Sequence, residues 1–119
     1  MKRFSSLKNN DFKAVYRKHR VKADKYFVMY VLENGSEKNR LGISVSKKVG
    51  NSVVRHRLTR LIREAVRLHE DEFNSGLDIA VVVRQSANPK LSLRDKPLKC
   101  RDVERSILHL AKIHRILSD

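Results

Sequence analysis

SVSKKVGNSVVRHRLTRLIRE, residues 44–64, joins the end of an apolar strand to the start of a two-faced helix. Gly50 lets the chain turn after Lys47 and Lys48, and Asn51 and Ser52 are favourable helix-capping residues. At about 100° per residue, Val54, Leu58, Leu61, Ile62, Ala65 and Leu68 gather on one side. His56, Arg60, Arg63 and Arg67 occupy the other, with Arg55 and Arg57 at the borders. Seven Lys or Arg and one acid, Glu64, lie between Lys47 and Arg67. A rigid cationic face opposite a core-seeking face points to a polyanion.

Composition agrees. The chain has 119 residues, with 27 Lys plus Arg against 13 acids, a formal charge of +14 and a pI near 10.4. Its hydrophobic fraction, 40%, excludes a disordered basic tail. An anionic membrane would want bulky apolar residues facing outward beside the cations, whereas here the apolar face is needed for the core. Cys100 is the only cysteine, which rules out an intramolecular disulfide and suits a reducing cytoplasm. Lys2 and Arg3 are not followed by an apolar run, and no stretch approaches a membrane span. The expectation is a cytoplasmic protein with no membrane partner.

The remaining chain reads outward from the basic helix, which is expected to run from about Asn51 to Glu72. Upstream, Phe12, Val15 and Tyr16 mark a helix over residues 9–18. Residues 19–25 are basic and extended. Tyr26 to Leu32, YFVMYVL, is strand-like. Asn34-Gly35 predicts a hairpin turn into a returning strand over Arg40 to Ser46. There, Leu41, Ile43 and Val45 oppose Gly42, Ser44 and Ser46. Downstream, Asn74-Ser75-Gly76 ends the helix, and Leu77 to Val83 reads as a central strand buried on both faces. Residues 85–99, with Pro89 and Pro97, form a long loop containing at most one helical turn. A last helix spans about Lys99 to Leu117, with Val103, Ile107, Leu110, Ala111 and Leu117 inward. The expected fold is a single-domain α+β sandwich over residues 1–119, with one face of a small sheet covered.

The sequence carries no recognisable catalytic constellation. His19, His56, His69, His109 and His114 lack HExxH spacing, one cysteine cannot build a structural zinc site, and no phosphate-cradling glycine motif occurs. A second candidate site is aromatic. Phe12 and Tyr16 share a helix face, and Tyr26, Val28 and Tyr30 share one side of a strand, with Phe27 and Met29 on the other. Lys8, Lys13, Arg17, Lys18, Arg20 and Lys22 flank them. Aromatic rings among cations can stack single-stranded bases; equally, such rings can simply be core.

These motifs together resemble the protein subunit of bacterial ribonuclease P. That family carries a signature close to KK-x-GNAV-x-RNR-x-KR-x-xRE. Lys47, Lys48, Gly50, Asn51, Val53, Arg55, Arg57, Arg60, Arg63 and Glu64 match it in register. LKNNDFKAVY matches the family's opening, and DKYFVMYVL with RLGISVSKKVG matches its hairpin. The resemblance covers nearly all of the chain. His56 replaces the usual Asn of the RNR triplet, keeping a hydrogen-bonding group that can charge near neutral pH. Thr59 replaces a usual Lys and removes a cation.

The resemblance implies an αβββαβα fold like the second domain of ribosomal protein S5, with an extra short strand in residues 19–25. It also implies a left-handed βαβ crossover, against the usual hand. The holoenzyme would remove the 5′ leader from precursor tRNA. A catalytic RNA acting with Mg2+ would perform the hydrolysis, so that no catalytic residue lies in the protein. By family position, Phe12, Tyr16 and Tyr30 would line a leader-binding cleft. Lys47, Lys48, Asn51, Arg55, His56, Arg57, Arg60, Arg63 and Arg67 would form the RNR-type surface near the catalytic RNA. The rivals are a ribosomal or assembly protein of the same fold and a protein-only nuclease, which would need clustered acids or a His pair.

Overall fold

The computed structural model describes residues 4–17, 20–88 and 98–118. The elements run β1 (Phe4–Ser6), α1 (Asn9–Arg17), β2 (Val21–Ala23), β3 (Phe27–Glu33), β4 (Asn39–Ser44), α2 (Ser52–Leu68), β5 (Leu77–Val83) and α3 (Cys100–His114). Lys18, His19 and most of the expected 85–99 loop, including both prolines, lie outside the described residues. A short 3-10 turn, Gln85–Ala87, opens that loop.

The chain forms one α+β domain around a five-stranded sheet of order β1-β4-β5-β3-β2. β5 occupies the centre, as its apolar run requires, antiparallel to β3 and parallel to β4. The β4–α2–β5 segment therefore joins parallel neighbours. The αβββαβα order is present, preceded by one more strand. That strand, β1, pairs with β4 in parallel. Its three residues carry little signal beyond Phe4, whose ring meets Phe73 edge-on at 5.2 Å.

The expected hairpin between β3 and β4 does not form, because β5 lies between them. Neighbouring strands sit about 4.8 Å apart, so this connection spans roughly 10 Å. Residues 34–38 bridge it by bonding across the start of β5. Asn34 N–H donates to Gly76 O at 2.8 Å, and Asn34 Nδ2 donates to Asp78 Oδ1 at 2.8 Å and to Lys38 O at 2.9 Å. Gly35 takes the left-handed φ of 72° that Asn-Gly suggested, within this wider bend. The true hairpin lies one strand earlier. β2 pairs antiparallel with β3, and Asp24 Oδ1 accepts the Tyr26 and Phe27 amides, each at 2.9 Å, in an Asx turn. Tyr26 thus precedes the strand and packs against the larger core instead of sharing a face with Tyr30.

Strand alternation divides the interior into two clusters. Phe27, Met29, Val31, Ile79, Val81, Leu41 and Ile43 face α2 and α3 in the larger one. On the other face, Val15 of α1 packs with Leu7 and Ala80, joined by half-buried Phe12, Tyr16, Tyr30 and Leu32. Both faces are covered, the second only in part; the single covered face expected from sequence overlooked where α1 docks.

α2 begins as its sequence requires. Asn51 Oδ1 accepts the Val54 amide at 3.0 Å. Leu58, Ile62, Ala65 and Val66 form its buried face, each large aliphatic contributing about 1.5–3 kcal/mol by burial. Leu68 is 53% exposed, contrary to expectation. Six residues beyond Ile62 it has rotated about 120° out of the face, whereas Val66 stays within it. The helix ends at Leu68, and residues 70–72 continue as a 3-10 turn. α3 is shorter than expected: Arg115 adopts φ 60° and closes it, while Leu117 bridges to Phe73.

Candidate nucleic-acid interface

The first candidate surface is the exposed side of α2 with the turn before it. Lys47, Lys48 and Asn51 are exposed, as are His56, Arg57, Arg60, Arg63 and Arg67. The turn carrying the lysines is pinned by Val49, which is 1% exposed and whose carbonyl accepts from Asn88 Nδ2 at 2.6 Å. A buried valine inside a basic run holds the lysines outward; neither it nor Asn88 was picked out from sequence.

The cations are not equivalent. Arg57 Nη2 donates to Leu98 O at 2.5 Å and so braces the chain entering α3. Arg67 is engaged by Glu64 through two bonds, Nε–Oε2 at 3.0 Å and Nη2–Oε1 at 2.5 Å. That pairing raises the Arg67 pKa and lowers that of Glu64. Arg55 is half-buried, not at the border. It stands seven residues before Ile62, so it projects on the core side. Its Nε is buried without a hydrogen-bond partner among the described residues. Arg55, His56 and Thr59 line a hollow of about 270 Å³ against Ile43 and Val45 at the end of β4. A larger groove, about 800 Å³, runs along α2 past Val53, His56, Arg57, Arg60 and Leu61 to Cys100.

The second candidate surface is aromatic. Tyr16 meets Tyr30 edge-to-face with centroids 4.7 Å apart, and Phe12 lies 5.9 Å from Tyr16. All three rings are half-buried, so each leaves part of its surface to solvent. The Tyr16 pKa is raised, first by burial and then by the neighbouring Tyr30 phenol, while a hydrogen bond with Ser44 acts the other way. The Tyr16 phenol, held neutral, keeps its donor hydrogen at ordinary pH.

A charged network beneath this surface was missed from sequence. Arg40 Nε and Nη2 donate to the two oxygens of Asp78 at 2.8 and 2.6 Å, and Arg40 Nη1 donates to Asp11 Oδ2 at 2.9 Å. The Asp78 side chain is 3% exposed. An aspartate inside LDIAVVV was the available signal, since a buried carboxylate demands partners.

Among the described residues, no three His, Cys, Asp or Glu side chains gather in a way that would hold a metal ion. No helix among them is long and apolar enough to cross a membrane.

A basic, two-surfaced α+β domain of this kind defines a class of RNA-binding protein, and comparison with known proteins gives the family. The family model described as Ribonuclease P matches residues 1–106. The ribonuclease P protein component of Lachnoclostridium phytofermentans is 50% identical over 114 residues, covering 95% of this chain and 91% of that protein. That of Alkaliphilus metalliredigens is 39% identical, covering 93% of each. The RNase P protein structure from Staphylococcus aureus superposes with a TM-score of 0.82 at 34% identity, covering 98% of this chain and all of that one. The one from Thermotoga maritima gives 0.80 at 27% identity, covering 92% and 96%. The chain belongs to the ribonuclease P protein family, and with it to the RNA-binding proteins of tRNA processing.

Proposed function

We propose that this chain is the cytoplasmic protein subunit that joins a catalytic RNA to remove the 5′ leader from precursor tRNA. The RNR-type surface of Lys47, Lys48, Asn51, Arg55, His56, Arg57, Arg60, Arg63 and Arg67 binds RNA phosphates. Phe12, Tyr16 and Tyr30 stack bases of the single-stranded leader. One observation carries this reading: both surfaces converge on the end of β4. The Phe12 ring lies on Gly42 on one face of the strand, and Arg55 and His56 approach Ile43 and Val45 on the other. One strand end thus lies between a stacking surface and a phosphate-neutralising one.

On this reading the RNA performs the chemistry with Mg2+, and the protein alone is inactive. Five carboxylates among the described residues fit that division. Asp11 and Asp78 are engaged by Arg40, Glu64 by Arg67, and Glu72 and Glu104 by His69. Carboxylates so occupied are poor ligands for a hard divalent cation, which wants several unencumbered oxygens.

The test is cleavage of precursor tRNA by the protein alone, by the catalytic RNA alone and by both at low Mg2+. The expected result is cleavage only with both. Cleavage by the protein alone would assign catalysis to it, and no gain on adding protein would favour a ribosomal or assembly role.

A further inference from the structure

Alternate residues of β4 face α1, and Arg40 and Gly42 each meet a different residue of that helix. Arg40 Nη1 donates to Asp11 Oδ2 at 2.9 Å. The Phe12 ring lies on Gly42, where an added Cβ would fall 2.7 and 2.8 Å from the two ring Cε atoms, far inside contact distance. Residues two apart on a strand are roughly 6.7 Å apart, so these contacts fix the helix at two points along the strand. One contact is ionic and one steric.

α1 needs such anchoring. It has nine residues, and Val15 is its only fully buried side chain. Helices this short are not stable alone in water. The apolar seat of Val15, Leu7 and Ala80 is small. Arg40, by contrast, is immobilised: Asp78, in the central strand, takes two of its donors, and Asp78 also accepts from Asn34. The Asp11 contact therefore ties α1 to the most rigid part of the sheet.

We propose that Arg40 and Gly42 are positioning residues for the aromatic surface, holding α1 where Phe12, Tyr16 and Tyr30 form one continuous platform for single-stranded RNA. The inference rests on reading that platform as the leader site. Gly42 acts by its missing side chain. A methyl there would lift the Phe12 ring off the strand and into the volume a stacked base requires. Arg40 acts through Asp11, setting how closely the first turn of α1 approaches β4.

Two variants test this without dismantling the domain. Gly42→Ala is compatible with strand backbone, because φ at Gly42 is not positive, and the group it displaces is the end of a half-buried ring. Asp11→Asn removes one ionic arm and leaves the Arg40–Asp78 pair intact. Holoenzyme reconstituted with the catalytic RNA is titrated with precursor tRNA carrying a leader and with mature tRNA. Melting temperature and the Tyr16–Tyr30 ring contact, seen as a nuclear Overhauser effect, are measured on the same proteins. Tyr30→Ala serves as the control for the parent reading.

The expected result is a loss of about tenfold in the leader-bearing to mature affinity ratio for Gly42→Ala, the low end of losing one stacked base. A smaller loss is expected for Asp11→Asn, with mature tRNA affinity unchanged and ring contacts altered. If Tyr30→Ala lowers the ratio while both β4-side variants leave it intact, the positioning inference fails and the leader reading stands. If Tyr30→Ala leaves the ratio unchanged, the leader reading fails and takes this inference with it. Equal losses for both tRNAs in either variant would assign it a merely structural role and overturn the proposal.

Discussion

His69 Nε2 lies 2.8 Å from Glu104 Oε1, and this contact joins the end of α2 to α3. His69 Nδ1 also contacts Glu72. The ring turns inward because position 69 lies seven residues after Ile62, on the same helix face. The hydrogen bond to Glu104 raises the imidazole pKa most; burial opposes it, and Glu72 adds to the rise. A folded-state pKa above the unfolded value gives stability that is complete below about pH 6.5 and is lost as pH rises through the folded value. Urea unfolding should therefore show stability falling on the alkaline side, by at most about 1.4 kcal/mol per pH unit from this residue. His69→Gln should flatten that limb. An unchanged slope in the variant would remove His69 as its cause.

His114 should act with the opposite sign. Its Nε2 donates to Met29 O at 2.8 Å, and its Nδ1 is buried without a hydrogen-bond partner among the described residues. Burial lowers its pKa, and Arg20 and Lys22 push the same way. The unfolded chain then binds the proton more readily, so stability falls as pH drops below about 6.5 toward the folded value. Between pH 5 and 8, the two histidines together should place a stability maximum near pH 6.5. His114→Asn should lose the acid limb and keep the alkaline one. Retention of both limbs would show that another group titrates there.

Much of this architecture was legible because period and charge coincide. The α2 amphipathicity, the capping by Asn51 and the buried run of β5 are all local patterns. Strand order was not. Asn34-Gly35 signals a tight reversal, yet Gly76 and Asp78 supply the hydrogen bonds that turn it into a wide crossing over β5. Those partners lie some forty residues downstream, beyond any local reading. For the same reason, the aromatic residues could be named as candidates while Arg40 and Gly42 could not. Their role depends on α1 docking against β4, a contact that neither segment encodes alone. Arg55 shows the finer limit: the buried face of Leu58, Ile62, Ala65 and Val66 is turned toward Arg55 from the face drawn through Val54, Leu61 and Leu68, and that turn moves a guanidinium from border to interior.

Binding of RNA should be strongly salt-dependent. If Lys47, Lys48, Arg55, Arg60 and Arg63 neutralise about five phosphates, affinity should fall by roughly 10² to 10³ between 50 and 200 mM monovalent salt. Arg67, already paired with Glu64, should contribute less than Arg60 or Arg63. Charge-removing variants at Arg60 and Arg67 would rank them by the change in salt slope. A flat salt response would rule out the polyelectrolyte account of the α2 face.

The Arg40–Asp78 pair should behave as a coupled unit. Arg40→Met leaves a buried carboxylate without its main partner and should cost about 3–5 kcal/mol. Replacing both, as Arg40→Met with Asp78→Leu, should recover much of that loss, because no orphaned charge remains. A double-mutant cycle in urea reads the coupling directly. Simple additivity of the two single variants would mean that the contact contributes little in solution.

Tyr16 tests whether the platform works through its ring or its hydroxyl. The ring meets Tyr30 and Phe12, while the hydroxyl is a separate polar group at its tip. Stacking requires the π face, so Tyr16→Ala should weaken holoenzyme binding of leader-bearing precursor tRNA by about 1–3 kcal/mol. Mature tRNA should bind nearly as before, because it offers no single strand to stack. Tyr16→Phe keeps the face and loses only the hydroxyl. It should therefore retain most of the leader affinity. The fold should survive both changes, since Tyr16 lies at the edge of the smaller cluster. Were Phe as damaging as Ala for leader binding, the hydroxyl would be the operative group, and base stacking would not describe this surface.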